Sequence, residues 1–369
     1  TVAGIMLAVA AKELLTLYIS IELVSITSYF LVGYVRGDKP SSEGGLKYLL
    51  YGAACSAFML YGISLIYGLT GTTYLSELQA SSNLSPAMFA AAIFMMVGLG
   101  FKIALVPFHM WSPDVYEGAP TPITAFLSVT PKLAGFAALL RVFVVGMEHY
   151  APLWLPVFGL LCALTMTIGN VVAIPQRNMK RMLAYSSIAQ AGYIFMGIVV
   201  AAQDNLALEG VLLYSAAYVA MNLGAFAIVI YVKNALGTEE IADYAGLAQV
   251  SPGLALMLVL FLLSLAGIPP LLGFWGKLYV FAAAIQQGYL WLAIIGVLNS
   301  VISLYYYFNV TRLMYFVKPS EQLEKMPIRA GWSLNVALAF TLLLTLALGL
   351  MPAGLLRAVT FAAQLAGWN

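Results

Sequence analysis

Residues 262–281 read LLSLAGIPPLLGFWGKLYVF. The stretch is apolar enough for a membrane interior, yet it holds Pro269 and Pro270, flanked by Gly267 and Gly273, with Lys277 about two helical turns further on. Each proline removes a backbone donor and clashes with the preceding turn. A helix broken at that point exposes polar backbone, which lipid cannot satisfy and which survives only inside protein or beside a watery cavity. One segment therefore predicts both a helical membrane protein and a discontinuous span within it. A second broken span lies at 98–111, GLGFKIALVPFHMW, with Pro107 inside it.

The rest of the chain agrees with that class. Of its 369 residues, 62% are hydrophobic and 9% charged, against about 25% charged in soluble domains. Many apolar runs reach the roughly 20 residues that a spanning helix needs. None has the ten-residue alternation of an outer-membrane barrel. The expected fold is an all-α, polytopic transmembrane bundle forming a single membrane domain, 1–369. After a partial helix at 1–11, ten full spans fall at 14–35, 44–70, 86–111, 122–146, 152–174, 181–202, 208–233, 253–286, 289–317 and 333–351. The two broken spans are five helices apart and so cross in opposite directions. That predicts inverted repeats, 14–146 and 152–317, each with a discontinuous helix at a transport site; two ordinary proline kinks are the alternative. The chain starts at Thr1, with only about ten apolar residues before Lys12-Glu13 and no basic start or cleavage pattern. The expectation is an N-terminus cut inside a helix, with earlier helices missing.

Lys and Arg divide unequally between the two sides. Arg36, Lys39, Arg177, Lys180, Arg181, Lys233, Lys318, Lys325 and Arg329 fall on one side, and Lys12 and Arg357 in the loops and tail of the other. The positive-inside rule turns the first side to the cytoplasm, or to the equivalent negative compartment. A net charge of +2 without a basic stripe argues against nucleic acid. Cys55 and Cys162 lie in apolar stretches with no CxxC, which predicts small buried residues and neither metal nor disulfide.

Charges inside the spans point to function. Glu22 sits in LYISIELVSITSYF (17–30), Lys102 in the first broken span, Lys132 just after Pro131, and Lys277 after the second break. Burying each as an ion costs several kcal/mol, so four in one chain need a reason. Snorkelling suits Lys47, about one turn into its span, nearly as well as function does. It suits Lys132 and Lys277 poorly. Burial disfavours an ammonium, while a carboxylate beside it favours one. A Glu22–Lys102 pair that opens and closes would therefore act as a proton switch, with Lys132 and Lys277 relaying what it releases. His109, Asn170, Gln190, Asn222, Asn299 and Tyr305 could hold water along the route, although interhelical hydrogen bonding competes for each. No P-loop, dinucleotide turn or haem or iron–sulfur ligand set is evident. Any electron-transfer drive would come from another subunit.

The stretches IELVSITSYFLVGY (21–34), SSEGGLKYLLYGAACSAFMLYG (41–62), GLGFKIALVPFHMWSPDVYEGAPTP (98–122), NMKRMLAYSSIAQAGY (178–193) and LAGIPPLLGFWGK (265–277) resemble the antiporter-like membrane subunits of respiratory complex I. The subunit N (NADH dehydrogenase subunit 2) type is the most similar, through Lys47-Tyr48, Lys132 and lysine rather than glutamate at 277. The resemblance implies a proton-translocating, non-redox subunit of an NADH (or ferredoxin):quinone oxidoreductase, driven by quinone reduction elsewhere. It also implies that Glu22 and Lys102 are the switch pair, Lys132 the central relay and Lys277 the terminal lysine. Lys47 would lie near the pair, and His109 would be a candidate for proton entry. The chain departs from several relatives at Gln190, where they carry histidine. No cofactor is expected in this chain; NAD, FMN, iron–sulfur clusters and quinone belong to other subunits. Expected partners are other complex I membrane subunits, including a second antiporter-like one, in a bacterial inner membrane or equivalent energy-transducing membrane. A subunit of a multisubunit sodium/proton antiporter is the nearest rival, and a structural spacer is another.

Overall fold

The computed structural model describes residues 1–80, 84–201, 205–320, 323–324 and 331–365. In chain order its helices are α1 (Val2–Ala10), α2 (Leu14–Val32), α3 (Lys39–Thr70), α4 (Pro86–Ile103), α5 (Trp111–Gly118), α6 (Thr121–Leu139), α7 (Ala151–Ala173), α8 (Met179–Ala201) and α9 (Asn205–Leu236). They continue with α10 (Leu247–Val250), α11 (Pro252–Ala266), α12 (Leu272–Gln286), α13 (Leu290–Phe316), α14 (Trp332–Leu350) and α15 (Ala353–Leu365). Among the described residues nine helical stretches are long and apolar enough to cross a membrane. The pair α11/α12 takes the place of the tenth expected span. The chain is an all-helical, membrane-embedded bundle. Lys325 and Arg329, counted in the charge asymmetry, lie outside the described residues.

Local chemistry sets the helix ends. Asp38 caps α3 by accepting from Ser41 N at 3.1 Å, with Pro40 in the first turn, so this helix starts five residues before the expected 44. Ser85 caps α4 in the same way, accepting from Met88 N at 3.2 Å ahead of Pro86. The span expected at 122–146 is α-helical only to Leu139 and finishes as a π-helical stretch, Leu140–Gly146. The tail after 351, left without a span, forms α15.

Helix α8 runs through the centre, and 94% of its most apolar 18-residue window is buried. Its neighbour α7 approaches closely because Gly169 on α7 faces α8 and Gly192 on α8 faces α7: a Cβ on Gly169 would stand 2.6 Å from Ala189 N, and one on Gly192 2.8 Å from Met166 Cγ. Small residues of this kind let membrane helices approach backbone to backbone. The outer helices expose large apolar side chains such as Phe30, Phe316 and Phe340, as expected for surfaces meeting lipid or neighbouring apolar helices.

Both proline-marked spans are broken, as expected. Helix α4 stops at Ile103, and Ala104 turns the chain at φ 60°, ψ 44°. The α4 carbonyls left open are satisfied locally. Gly100 O accepts from Leu105 N at 2.8 Å, and Phe101 O accepts from Ala104 N and from Trp111 Nε1, both at 3.1 Å. Helix α11 stops at Gly267, φ +90°, and the chain re-enters a helix at Leu272. Here Leu263 O and Ser264 O accept from the local backbone, Gly267 N and Ile268 N, but Leu265 O and Ala266 O are satisfied by side chains on α8 and α12, and those side chains belong to the candidate site.

Candidate functional site

Three lysines lie in the bundle interior: Lys102 is 0%, Lys132 1% and Lys277 4% exposed. None of the three forms an ion pair among the described residues, where every salt bridge lies at the loop end described below. Each is bound instead by oxygens. Lys102, in the last turn of α4, donates to Ser25 Oγ on α2 at 2.7 Å. Lys132, on α6, donates to Ser187 O at 2.9 Å and Ser187 Oγ at 2.6 Å on α8. Lys277, on α12, donates to Ala266 O at 2.8 Å and Ser300 Oγ at 3.1 Å, and stands 4.4 Å from the Tyr193 ring centroid.

The contact at Ala266 shows how the second break and its lysine depend on each other. Ala266 ends α11, so its carbonyl has no intrahelical donor, and Lys277 provides one. The preceding carbonyl, Leu265 O, accepts from Gln190 Nε2 on α8 at 2.8 Å. A cation at a helix C-terminus also suits the negative end of the helix dipole. Lys102 enjoys the same placement, one residue before the end of α4.

Successive contacts on α6, α8 and α11 connect the surroundings of the three lysines. A Cβ on Gly135 would touch Lys102 Cγ at 3.2 Å, and Gly135 is one turn beyond Lys132 on α6. Around Lys132, Tyr218 donates to Ser187 Oγ at 2.7 Å, and Asn222 Nδ2 donates to Ser128 Oγ at 2.6 Å. One turn along α8, Gln190 accepts from Tyr214 and lies 3.5 Å from Tyr307 Oη, which shares a 2.5 Å hydrogen bond with Ser186. Asn170 joins Tyr193, Tyr306 and Asn299 at 3.1, 3.0 and 3.4 Å. A hydroxyl- and amide-lined interior thus separates the three amines.

Glu22 is half-buried between α2 and α3 and accepts a hydrogen bond from Ser56. It makes no direct ion pair with Lys102, although it lies within Coulombic reach of it. The expected switch pair is therefore unpaired in this structure. Lys47 sits elsewhere: it is half-exposed and pairs with Glu43 and Asp114, both at 2.7 Å. His109 is buried in the turn after the first break, and its carbonyl accepts from Ser112 N at the start of α5. Tyr305 was expected along the route but is 65% exposed and faces outward, whereas Tyr306 and Tyr307 are buried. At about 100° of helix rotation per residue, a run of three tyrosines cannot all face inward.

At the loop end of the bundle a cavity of about 800 Å³ is lined by Lys47, Asp114, Glu117, Lys180, Arg181 and Glu239 among others. Arg181 joins Asp114 and Glu117, each at 2.7 Å. Burial pushes the Asp114 carboxyl up, but Lys47 and Arg181 outweigh it and hold the carboxyl below its ordinary value. Lys180, read from the sequence as a loop charge, is instead 1% exposed. It pairs with Glu239 at 2.8 Å and donates to Ala119 O at 2.8 Å. Glu239 arrives from the loop after α9 and also binds Lys233 at 2.5 Å and Thr121 Oγ1 at 3.0 Å. Burial raises its carboxyl too, and the two lysines more than reverse that.

Sequence reasoning missed Ser25, Ser56, Ser128, Ser187, Tyr214, Tyr218 and Tyr307. Serine and tyrosine occur throughout the spans, and only Ser25, one turn from Glu22, carried a local signal.

Residues 11–303 match the family described as NADH:quinone oxidoreductase/Mrp antiporter, TM. NADH-quinone oxidoreductase subunit N of Heliobacterium modesticaldum is 49% identical over 362 residues, covering 98% of this chain and 76% of that protein. The subunit of the same name from Desulfitobacterium hafniense is 46% identical over 379 residues, with the same coverage of each. Among solved structures, a chain of Thermus thermophilus respiratory complex I with bound aureothin aligns with TM-score 0.82 at 36% identity, over 96% of this chain and 77% of that one. A chain of the Mrp complex from Dietzia sp. aligns with TM-score 0.88 at 24% identity, over 98% and 75%, a likeness of fold. The chain belongs to the NADH:quinone oxidoreductase/Mrp antiporter transmembrane family.

Proposed function

We propose that protons cross this chain through Glu22, Lys102, Lys132 and Lys277. The chain is an antiporter-like, proton-translocating membrane subunit of an NADH:quinone oxidoreductase, and it performs no redox chemistry itself. The observation that carries the residue assignment is the set of three buried lysines bound by hydroxyl and carbonyl oxygens, with no ion pair on any of them among the described residues. A structural lysine at such depth would be expected to carry a counter-ion. An amine held only by neutral oxygens can give up its proton without stranding a partner charge.

Glu22 controls the first amine. When its carboxylate approaches, the Lys102 ammonium is favoured; when it withdraws, the proton moves on toward Lys132 and then Lys277. The two residue blocks 14–146 and 152–317 act as inverted repeats, each with one broken helix beside its lysine. The loops rich in Lys and Arg face the cytoplasm or its equivalent, and the charged cavity beneath them receives protons, with His109 nearby in sequence to the first break. Quinone reduction in other subunits, with NAD (or ferredoxin), FMN and iron–sulfur clusters there, drives the cycle. A second antiporter-like subunit is among its membrane neighbours. The Mrp fold likeness alone would fit a sodium/proton antiporter subunit, but identities near one half to subunit N favour the oxidoreductase.

The test is Lys102→Met in the whole complex, with assembly checked on native gels. Proton pumping in vesicles and coupled quinone reductase activity are expected to fall together. Wild-type levels of both in an assembled complex would make Lys102 structural and leave a spacer subunit as the better reading.

A further inference from the structure

We propose that Ser56 and Ser25 are positioning residues that hold Glu22 and Lys102 apart and so set the balance between the open and paired states of the switch. The inference rests on the reading of that pair given above. Two hydroxyls of opposite hydrogen-bonding sense carry it. Ser56, on α3, donates its proton to the Glu22 carboxylate. Ser25 donates its own proton to Ile21 O at 2.7 Å, which leaves its lone pairs to accept from Lys102 Nζ at 2.7 Å. The anion thus meets a donor, and the cation meets a hydroxyl whose only proton is already committed.

The geometry makes the two bonds a barrier to pairing. Glu22 and Ser25 are three residues apart on α2, so they are neighbours on one helix face. Lys102 therefore lies beside the turn that carries Glu22 while bonded to the serine rather than to the acid. Direct pairing requires the ammonium to leave Ser25 and the carboxylate to leave Ser56. Each bond is charge-assisted, so each biases the equilibrium toward the open state by roughly tenfold or more.

Removing the Ser56 hydroxyl should shift the population toward the paired state, in which Lys102 holds its proton and the cycle stalls. In the complete complex in vesicles, Ser56→Ala is expected to lower pumping turnover by roughly tenfold, with the KM for quinone unchanged. Ser56→Cys keeps the volume but donates weakly, and should be as impaired as alanine. Ser56→Thr retains the hydroxyl and should restore turnover. Wild-type turnover in assembled Ser56→Ala and Ser56→Cys complexes would overturn the proposal. So would rescue by cysteine but not threonine, because packing would then be the cause. Glu22→Gln measured alongside separates the two levels of the argument. If it pumps normally, the switch pair itself is wrong; if it is inactive while the Ser56 variants are normal, only the positioning role falls.

Discussion

Replacing Gly267 with alanine tests whether the second break exists to seat Lys277. Gly267 caps α11 at φ 90°, ψ 37°, and a Cβ there would stand 2.7 Å from Lys277 Cδ and 3.5 Å from its Nζ. Left-handed backbone costs an L-residue about 1–2 kcal/mol. The 2.7 Å approach is about 1 Å inside an ordinary carbon–carbon contact, and the flexible lysine must yield. Yielding takes Nζ away from Ala266 O, and a hydrogen bond from a charged group contributes roughly 1.5–3 kcal/mol. The total is about 2.5–5 kcal/mol. Gly288→Ala is the matching control: Gly288 has φ +79° and nothing within 4 Å of its would-be Cβ, so it carries the backbone cost alone. The assay compares thermal inactivation half-lives of the purified complex and initial pumping rates in vesicles. Gly267→Ala should inactivate faster than Gly288→Ala and lose pumping, while Gly288→Ala keeps it. If the two variants behave alike in both measurements, the placement of Lys277 does not depend on a bare Cα at 267.

Glu239→Gln should destabilise the assembled subunit by about 3–5 kcal/mol at neutral pH, because it leaves the buried Lys180 ammonium without its carboxylate. The Glu239 carboxyl is held below its ordinary value, so its contribution is full above an unfolded value of about 4.3. It is lost only as pH falls through the lower folded value. Equal inactivation half-lives for wild type and variant at pH 7 would refute this role. Orientation can be read with a membrane-impermeant maleimide, since native Cys55 and Cys162 are buried. Lys39→Cys should react from the cytoplasmic face and Lys12→Cys from the opposite one; the reverse pattern would invert the topology.

Much of the architecture was legible from hydropathy. Spans of about twenty apolar residues and the clustering of prolines at 107 and 269–270 foretold ten crossings and two breaks, because lipid allows little else. Lys102, Lys132 and Lys277 were also legible, since a lysine in mid-span stands out against an apolar background. Their surroundings were not. Whether Lys180 was a loop charge or a buried one depended on Glu239, 59 residues further along the chain, and no local pattern joins those two positions. Tyr305 and Tyr307 read alike until helix phase decided which faced inward.

Membrane class, broken spans and the identity of the titratable groups are all written in local composition, because each follows from solvation costs incurred residue by residue. The partners come from helix packing: Ser25 for Lys102, Ser187 for Lys132, Ala266 O and Ser300 for Lys277, Ser56 for Glu22, and Asp114 rather than Glu22 beside Lys47. A hydrogen bond reaches only about 3 Å. Which oxygen comes that close is set by the rotation and packing of helices remote in sequence.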